Sequence, residues 1–80
     1  MALYTGFDLH SNNSVIVIQD EQDNVVGRKR LPNDLKRVCS WLASYQKDLA
    51  GIVVESTYNW YWLVDGLMEQ GYSVHLANTV

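Results

Sequence analysis

The sequence predicts an α/β fold with one mixed five-stranded sheet, on the strength of two patterns. Its first part carries three apolar or alternating segments separated by short polar turns, as in an antiparallel meander. From residue 32 onwards, helical periodicity alternates with short apolar segments, as in parallel strands joined by helices. The 80 residues, 48% apolar and 19% charged, have the size and composition of one small globular domain.

The predicted meander consists of residues 3–9, 15–18 and 25–31. Alternation in the first strand separates an apolar face from a face that contains Gly6 and Asp8. The second strand is β-branched throughout, so we expect it to be covered on both faces. Because the turns between these strands are short, the three strands are expected to be antiparallel neighbours.

Helical spacing begins after the meander. The first helix is predicted to start near Asp34, a residue type that favours helix N-termini. Its apolar residues at helical spacing are Leu35, Val38, Leu42 and Tyr45. A short strand is predicted over residues 50–55, a second helix over 60–70 with Gly71 as its C-cap, and a last strand over 72–77. The apolar stripe of the second helix consists of Leu63, Val64, Leu67 and Met68.

These elements give the order βββαβαβ. Right-handed crossovers make the first, fourth and fifth strands parallel, and the simplest packing gives the spatial order 3-2-1-4-5. That is the strand order of the ribonuclease H-like core, whose last helices would lie beyond Val80. We therefore expect a single ribonuclease H-like domain that is truncated at its C-terminal end.

The bulk composition limits the classes of function. A net charge of −3 and a pI near 5.0 disfavour a protein that binds nucleic acid through its whole surface. There is no apolar run of about 18 residues to span a membrane, and the N-terminus lacks the order of a signal peptide. Cys39 is the only cysteine, so an internal disulfide and a cysteine metal site are excluded, which suits a reducing cytoplasm. Its position in a helical pattern favours a buried structural thiol over a nucleophile.

Two acidic residues end otherwise apolar strands. Asp8 lies near the end of the first predicted strand, and Glu55 ends the fourth. If these strands are adjacent and parallel, about 4.8 Å apart, the two carboxylates lie within roughly 4–6 Å of each other on one face. A Mg²⁺ ion would relieve their repulsion, because it takes oxygen ligands and needs only one or two protein carboxylates. Gly6, on the same face, leaves room for a helix or a bound phosphate to approach.

Three segments of the chain then match a known family. They are GFDLHSNNSVIVIQDEQDNVV, RLPND and VVESTYNWYWLVDGLMEQGYSVHLAN. From Tyr4 to Asn78 the chain closely resembles the N-terminal RuvC-like domain of DEDD transposases from insertion sequences of the IS one-ten type. The resemblance implies that residues 1–80 are the N-terminal part of that domain. It places the first two of the family's four acidic metal ligands on Asp8 and Glu55, and the other two beyond Val80.

The family's activity defines the function that the resemblance implies. Its members are recombinases that cut and rejoin DNA to move an insertion sequence, and Mg²⁺ is the expected cofactor. They choose DNA sites with a structured noncoding RNA and carry a serine nucleophile in a C-terminal domain. DNA and RNA are therefore the expected partners of the whole protein. The 80-residue chain is expected to be inactive by itself, because it holds only half of the acidic set.

Simpler interpretations of several residues stay open. Glu55 could be solvated or interact with the N-terminus of the following helix. His10, on the Asp8 side of its strand, is either a loop histidine or a residue near metal or phosphate. The basic residues 28–30 either contact a nucleic-acid backbone or protect a sheet edge from aggregation. Of the aromatic residues 60–62, which could stack on bases, at least two are expected to pack in the core or in an interface.

Two other functions are also open. The chain could be a non-catalytic folding and oligomerisation unit, in which self-association buries uncovered apolar surface, so a homo-oligomer is expected. Actin-like ATPases and sugar kinases share the element order and a first strand that ends in Asp. Their following turn is rich in glycine and threonine, so that backbone amides hold ATP phosphates. Residues 10–14 contain no glycine, which disfavours this class.

Overall fold

A computed structural model describes residues 2–56 and 59–77 of the chain. Its elements are β1 (Leu3–Leu9), β2 (Asn13–Gln19), β3 (Val25–Pro32), α1 (Leu35–Leu42), β4 (Leu49–Glu55), α2 (Tyr61–Glu69) and β5 (Val74–Ala77). The strands lie in the order β3-β2-β1-β4-β5, with β1 antiparallel to β2 and parallel to β4. The predicted fold class and strand order are therefore confirmed. Thr57, Tyr58 and Asn78, which belong to the segments that carry the family resemblance, lie outside the described residues.

The sheet buries one face against both helices. Residues in β1 alternate strictly between buried and exposed, as its sequence predicts. The fully buried core residues of strands and helices belong to one cluster, which includes Ile16, Ile18, Val38, Leu42, Ile52, Val54, Leu63 and Leu67. The expectation that residues 15–18 are covered on both faces is wrong for the described part of the chain. Ile16 and Ile18 are fully buried, whereas Val15 and Val17 are only partly buried because no described helix covers their side.

A tight turn joins β2 to β3 and sets the position of the edge strand. The Asp20 carboxylate accepts hydrogen bonds from the backbone N–H groups of Gln22 and Asn24, each at 2.9 Å. These bonds, led by the one from Asn24, lower the pKa of Asp20. Asp23 adopts a φ of 65°, a left-handed conformation that Asp tolerates better than most residues. The turn thus holds β3 against β2 from its first residue onwards.

Helix α1 begins as predicted but ends early. Asp34 is the N-cap, and its side chain accepts a hydrogen bond from the Lys36 N–H at 3.0 Å. The helix stops at Leu42, so Tyr45 lies outside it, contrary to the predicted helical spacing. The Tyr45 N–H donates to the Leu42 carbonyl at 2.9 Å. This hydrogen bond spans three residues, as in a 3₁₀ turn, and ends the α-helix.

Helix α2 ends in the glycine conformation that its sequence predicts. Gly71 has a φ of +94°, which favours glycine because it has no Cβ. The N–H groups of Tyr72 and Gly71 donate to the carbonyls of Leu67 and Met68, at 3.1 and 3.0 Å, which is the Schellman pattern of a helix end. Tyr72 is buried, and the chain passes from there into β5. Met68, predicted on the apolar stripe, is 57% exposed because the buried side of the helix is formed by Leu63, Val64, Gly66 and Leu67.

The two helices touch closely at Gly66. A Cβ atom at this position would collide with the side chain of Leu35, at the start of α1. The absence of a side chain at Gly66 therefore lets α1 and α2 pack side by side on the same face of the sheet.

Two buried hydroxyl groups differ in their hydrogen bonding and give a stability prediction. Thr5 Oγ1 is buried with no hydrogen-bond partner among the described residues, whereas the buried Ser14 hydroxyl donates to Asn33 Oδ1 at 2.7 Å. Thr5→Val should raise the free energy of unfolding by about 1 kcal/mol, because it removes an unsatisfied group. Ser14→Ala should lower it by about 1 kcal/mol, because it removes a satisfied one. Urea unfolding followed by circular dichroism measures both, and a loss of stability in Thr5→Val would contradict the assignment.

Candidate metal centre

Asp8 and Glu55 lie directly opposite each other on adjacent strands. They are register partners in the parallel pairing of β1 with β4, so their backbones are separated by one strand spacing of about 4.8 Å. Both side chains point to the face of the sheet that the helices leave uncovered, and both line one groove. The structure therefore brings together the two acidic residues singled out in the sequence, on the same face and at the same end of the sheet.

The groove beside the two carboxylates is open and is lined mainly by small or aliphatic residues. Its volume is about 320 Å³, and Gly6, Val17 and Val53 line it below the acidic pair. A Cβ built on Gly6 would meet no heavy atom within 4 Å. The space predicted beside Asp8 is thus present, and a group as large as a phosphate can approach the carboxylates from solvent.

A histidine and an arginine lie near the acidic pair, and the position of the arginine was not predicted from the sequence. His10 Nε2 is 3.2 Å from Asp8 Oδ2, with both side chains more than half exposed, so the predicted position of His10 on the Asp8 side is confirmed. Arg28 lines the same groove from β3 but forms no ion pair with Asp8 or Glu55. Its position is apparent only from the register of β3 on β2, which pairs Arg28 with Val17.

Asn33 fixes the turn that follows Asp8. Its side-chain amide donates to the His10 carbonyl at 2.7 Å, while its Oδ1 accepts the hydroxyl of Ser14. The His10 N–H in turn donates to the Asn13 carbonyl at 2.9 Å. Asn33 therefore ties the β1–β2 turn to the start of α1 and restrains the chain next to Asp8. This role of Asn33 was not identified from the sequence.

The donor set fits a cation that takes most of its ligands from outside the chain. Among the described residues there is no group of three or more His, Cys, Asp or Glu side chains that could hold a metal ion. Two exposed carboxylates meet the need of Mg²⁺, which usually keeps several water molecules and binds substrate phosphate. Glu55 is exposed, and no described hydrogen bond joins its side chain to the first turn of α2, so it does not cap this helix by hydrogen bonding.

The other residues singled out in the sequence lie away from this groove. Trp60 and Trp62 are partly buried against the core, and Tyr61 is 62% exposed with its ring stacked on Trp60 at 4.1 Å. Two of the three aromatic residues therefore pack, as expected. Cys39 is partly buried against the core, and this burial raises the pKa of its thiol, which disfavours a nucleophilic role.

Comparison with solved structures identifies the fold. The chain superposes on T. thermophilus RuvC in complex with a Holliday junction substrate with a TM-score of 0.77 over 98% of its length, at 10% sequence identity. The fold is RuvC-like. The chain spans 65% of the length of that RuvC chain. No protein-family model and no curated protein sequence matches the chain.

A second structural neighbour shows how widely this RuvC-like core is shared. A ROK family protein from Streptococcus pneumoniae TIGR4, in complex with sucrose, matches with a TM-score of 0.58 over 95% of the chain and 34% of its own length, at 15% identity. The fold alone therefore does not assign a function to the chain. None of the described helices is long and apolar enough to cross a membrane.

Proposed function

We propose that this chain is the N-terminal part of the RuvC-like domain of a DEDD transposase, and that Asp8 and Glu55 hold Mg²⁺ for DNA strand cleavage and transfer. The observation that carries the proposal is the direct pairing of the two carboxylates on β1 and β4. The likeness to RuvC supports a nuclease type of function, and the segments quoted above support the transposase family.

Each residue near the groove has a defined part in this proposal. When bound, the metal would activate a water or hydroxyl group and stabilise the leaving oxygen of a phosphodiester. Asp8 and Glu55 would hold it from two strands whose relative position is fixed by backbone hydrogen bonds. The uncovered space at Gly6 admits the phosphate, and Asn33 keeps the turn after Asp8 in place.

The proposal assigns the rest of the activity to a longer protein. Two carboxylates are half of the acidic set that the family uses, and the remaining two aspartates and the serine nucleophile would lie beyond Val80. DNA would be the substrate of the complete protein, and a structured noncoding RNA would select the site. Residues 1–80 then supply the sheet and the first two ligands.

The sugar-kinase-like alternative is less well supported by the turn after β1. This class needs free backbone amides to hold ATP phosphates. Here the turn is short, its His10 N–H is occupied by the Asn13 carbonyl, and Asn33 bonds to the His10 carbonyl. The turn is also free of glycine. This combination favours the nuclease-type proposal over phosphate binding by the loop.

A non-catalytic role in assembly is a second candidate, favoured by apolar exposure on the open face. Tyr4 is 51% exposed and Val53 43% exposed, beside the partly buried Val15 and Val17. We expect the isolated chain to form dimers or higher oligomers through this face, because association would remove these side chains from water. Sedimentation velocity over a concentration series measures this. A strictly monomeric profile at high concentration, shared with a Val53→Lys variant, would contradict it.

Metal binding tests the principal proposal. Mn²⁺ should broaden the backbone amide NMR signals around Asp8 and Glu55, with a Kd on the order of 1 mM because only two protein carboxylates contribute. Asp8→Asn and Glu55→Gln should each abolish this broadening. Asp65→Asn, which removes an exposed carboxylate on α2, should not change it. Broadening that persists in both site variants, or is centred elsewhere, would overturn the assignment of the site.

Nuclease assays test whether residues 1–80 are sufficient for DNA cleavage. The 80-residue chain should show no Mg²⁺-dependent cleavage of supercoiled plasmid, because half of the acidic set is missing. Robust cleavage that depends on Mg²⁺ and is lost in Asp8→Ala would contradict the claim that further carboxylates are required.

A further inference from the structure

The cationic residues of the chain are concentrated in one short segment. Of the six lysines and arginines, five lie between residues 28 and 37. They are Arg28, Lys29, Arg30, Lys36 and Arg37. The segment holds one acidic residue, Asp34, so its net charge is +4 although the whole chain carries −3. A chain that is acidic overall thus has one strongly basic region, defined here as the basic edge.

The fold distributes this basic edge around a free edge of the sheet. β3 is the outermost strand on one side. Arg28 and Arg30 pair with Val17 and Val15, which places them on the open face together with the acidic pair. Lys29 pairs with the buried Ile16 and therefore lies on the side of the helices.

On the helix side, the basic edge continues into a shallow groove along α1. The groove has a volume of about 590 Å³ and is lined by Leu31, Lys36, Arg37, Ser40, Trp41 and Ser44. Lys36, Ser40 and Ser44 follow one another at intervals of four residues, so α1 and the turn after it present them in one row. The side chain of Trp41 lines the groove, and the edge of its ring lies next to Gly27 of β3. Cations, hydroxyls and an aromatic ring therefore line one continuous surface.

The charges of this surface are not neutralised within the described residues. No described carboxylate forms an ion pair with any of the five cations, and Asp34 uses its side chain to cap α1. Arg28, Arg30, Lys36 and Arg37 are exposed. Their charges are therefore available to an external anion, and their spread over both sides of β3 suits an extended polyanion better than a single small ion.

We infer that the basic edge binds the sugar–phosphate backbone of a nucleic-acid strand and leads it to the acidic pair. Lysine and arginine contacts to phosphates supply most of non-specific nucleic-acid affinity, and the partly buried Trp41 ring that lines the groove offers an aromatic surface to a base. β3 lies two strands from β1, about 10 Å, which corresponds to about three nucleotide steps along a duplex axis. This inference rests on the proposed nuclease-type function for its direction, but the binding itself requires no metal.

Two alternatives to nucleic-acid binding, protection against aggregation and binding of an acidic protein, predict different results. Charged residues on an edge strand can serve only to prevent sheet-to-sheet aggregation; their reversal would then change self-association and leave nucleic-acid binding unchanged. An acidic protein segment would also be attracted to the basic edge. It would bind with no preference for phosphates and no contribution from Trp41.

The test is a titration of a fluorescein-labelled single-stranded oligodeoxynucleotide with the 80-residue chain, followed by fluorescence anisotropy in EDTA. Binding should be weak, with a Kd on the order of 10⁻⁴ M, and should weaken as salt is added. Arg37→Glu in the groove and Arg28→Glu on the open face should each raise Kd roughly tenfold and lower the salt slope by about 0.7 or more per lost phosphate contact. Lys47→Glu makes the same charge change outside the groove and should raise Kd less than about twofold.

Further controls separate this inference from the proposed metal site. Asp8→Asn should leave oligonucleotide binding intact or strengthen it, and Arg37→Glu should retain Mn²⁺ broadening, so each site can fail independently. The inference is overturned if Arg37→Glu and Lys47→Glu bind the oligonucleotide equally well. Tighter binding of a fluorescein-labelled polyglutamate peptide than of the oligonucleotide would also overturn it, in favour of an acidic protein partner.

Discussion

The parallel, in-register pairing of β1 with β4 is the constraint on which the rest of this structure depends. It places Asp8 directly beside Glu55, although 46 residues lie between them in the sequence. The pairing is held by backbone hydrogen bonds rather than by the carboxylates, which repel each other across the sheet. The scaffold that positions the two carboxylates is stabilised by the burial of Phe7, Ile52 and Val54 on the opposite face.

The difference between the two faces of the sheet determines where the core, the acidic pair and the arginines of β3 lie. Both helices cover one face, where the fully buried aliphatic residues of the described part of the chain lie, and the other face carries polar and exposed groups. Side chains alternate along a strand, so when Phe7 and Leu9 are buried, Gly6 and Asp8 lie on the exposed face. The acidic pair, the open groove and the arginines of β3 thus share one face as a direct consequence of core formation. The edge strand then joins that face to the basic groove of α1.

Much of the fold and of the candidate site follows from local sequence patterns, and the exceptions have physical causes. Strict alternation in β1 and the glycine at position 71 report local geometry, so strand faces and the end of α2 could be predicted. The run of residues 15–18 is β-branched on both sides, and such a run carries no signal for which face a helix covers. Asn33 and Arg28 reach the site only through tertiary placement, since Asn33 bonds across 23 positions and Arg28 depends on the register of β3. Neither relation leaves a periodic trace in the sequence.

The most direct measurement of the central claim is the proximity of positions 8 and 55 in solution. In a Cys39→Ser background, an Asp8→Cys and Glu55→Cys pair should react rapidly with a short bifunctional thiol crosslinker, because the two positions are register partners. An Asp8→Cys and Gly51→Cys pair is the matched control. Gly51 pairs with Tyr4, which lies four residues, or about 13 Å, along the strand from Asp8, and a Cβ built at Gly51 would meet no heavy atom within 4 Å. Efficient crosslinking of the first pair alone is the predicted result. Equal crosslinking of both pairs, or none in the first, would contradict the account.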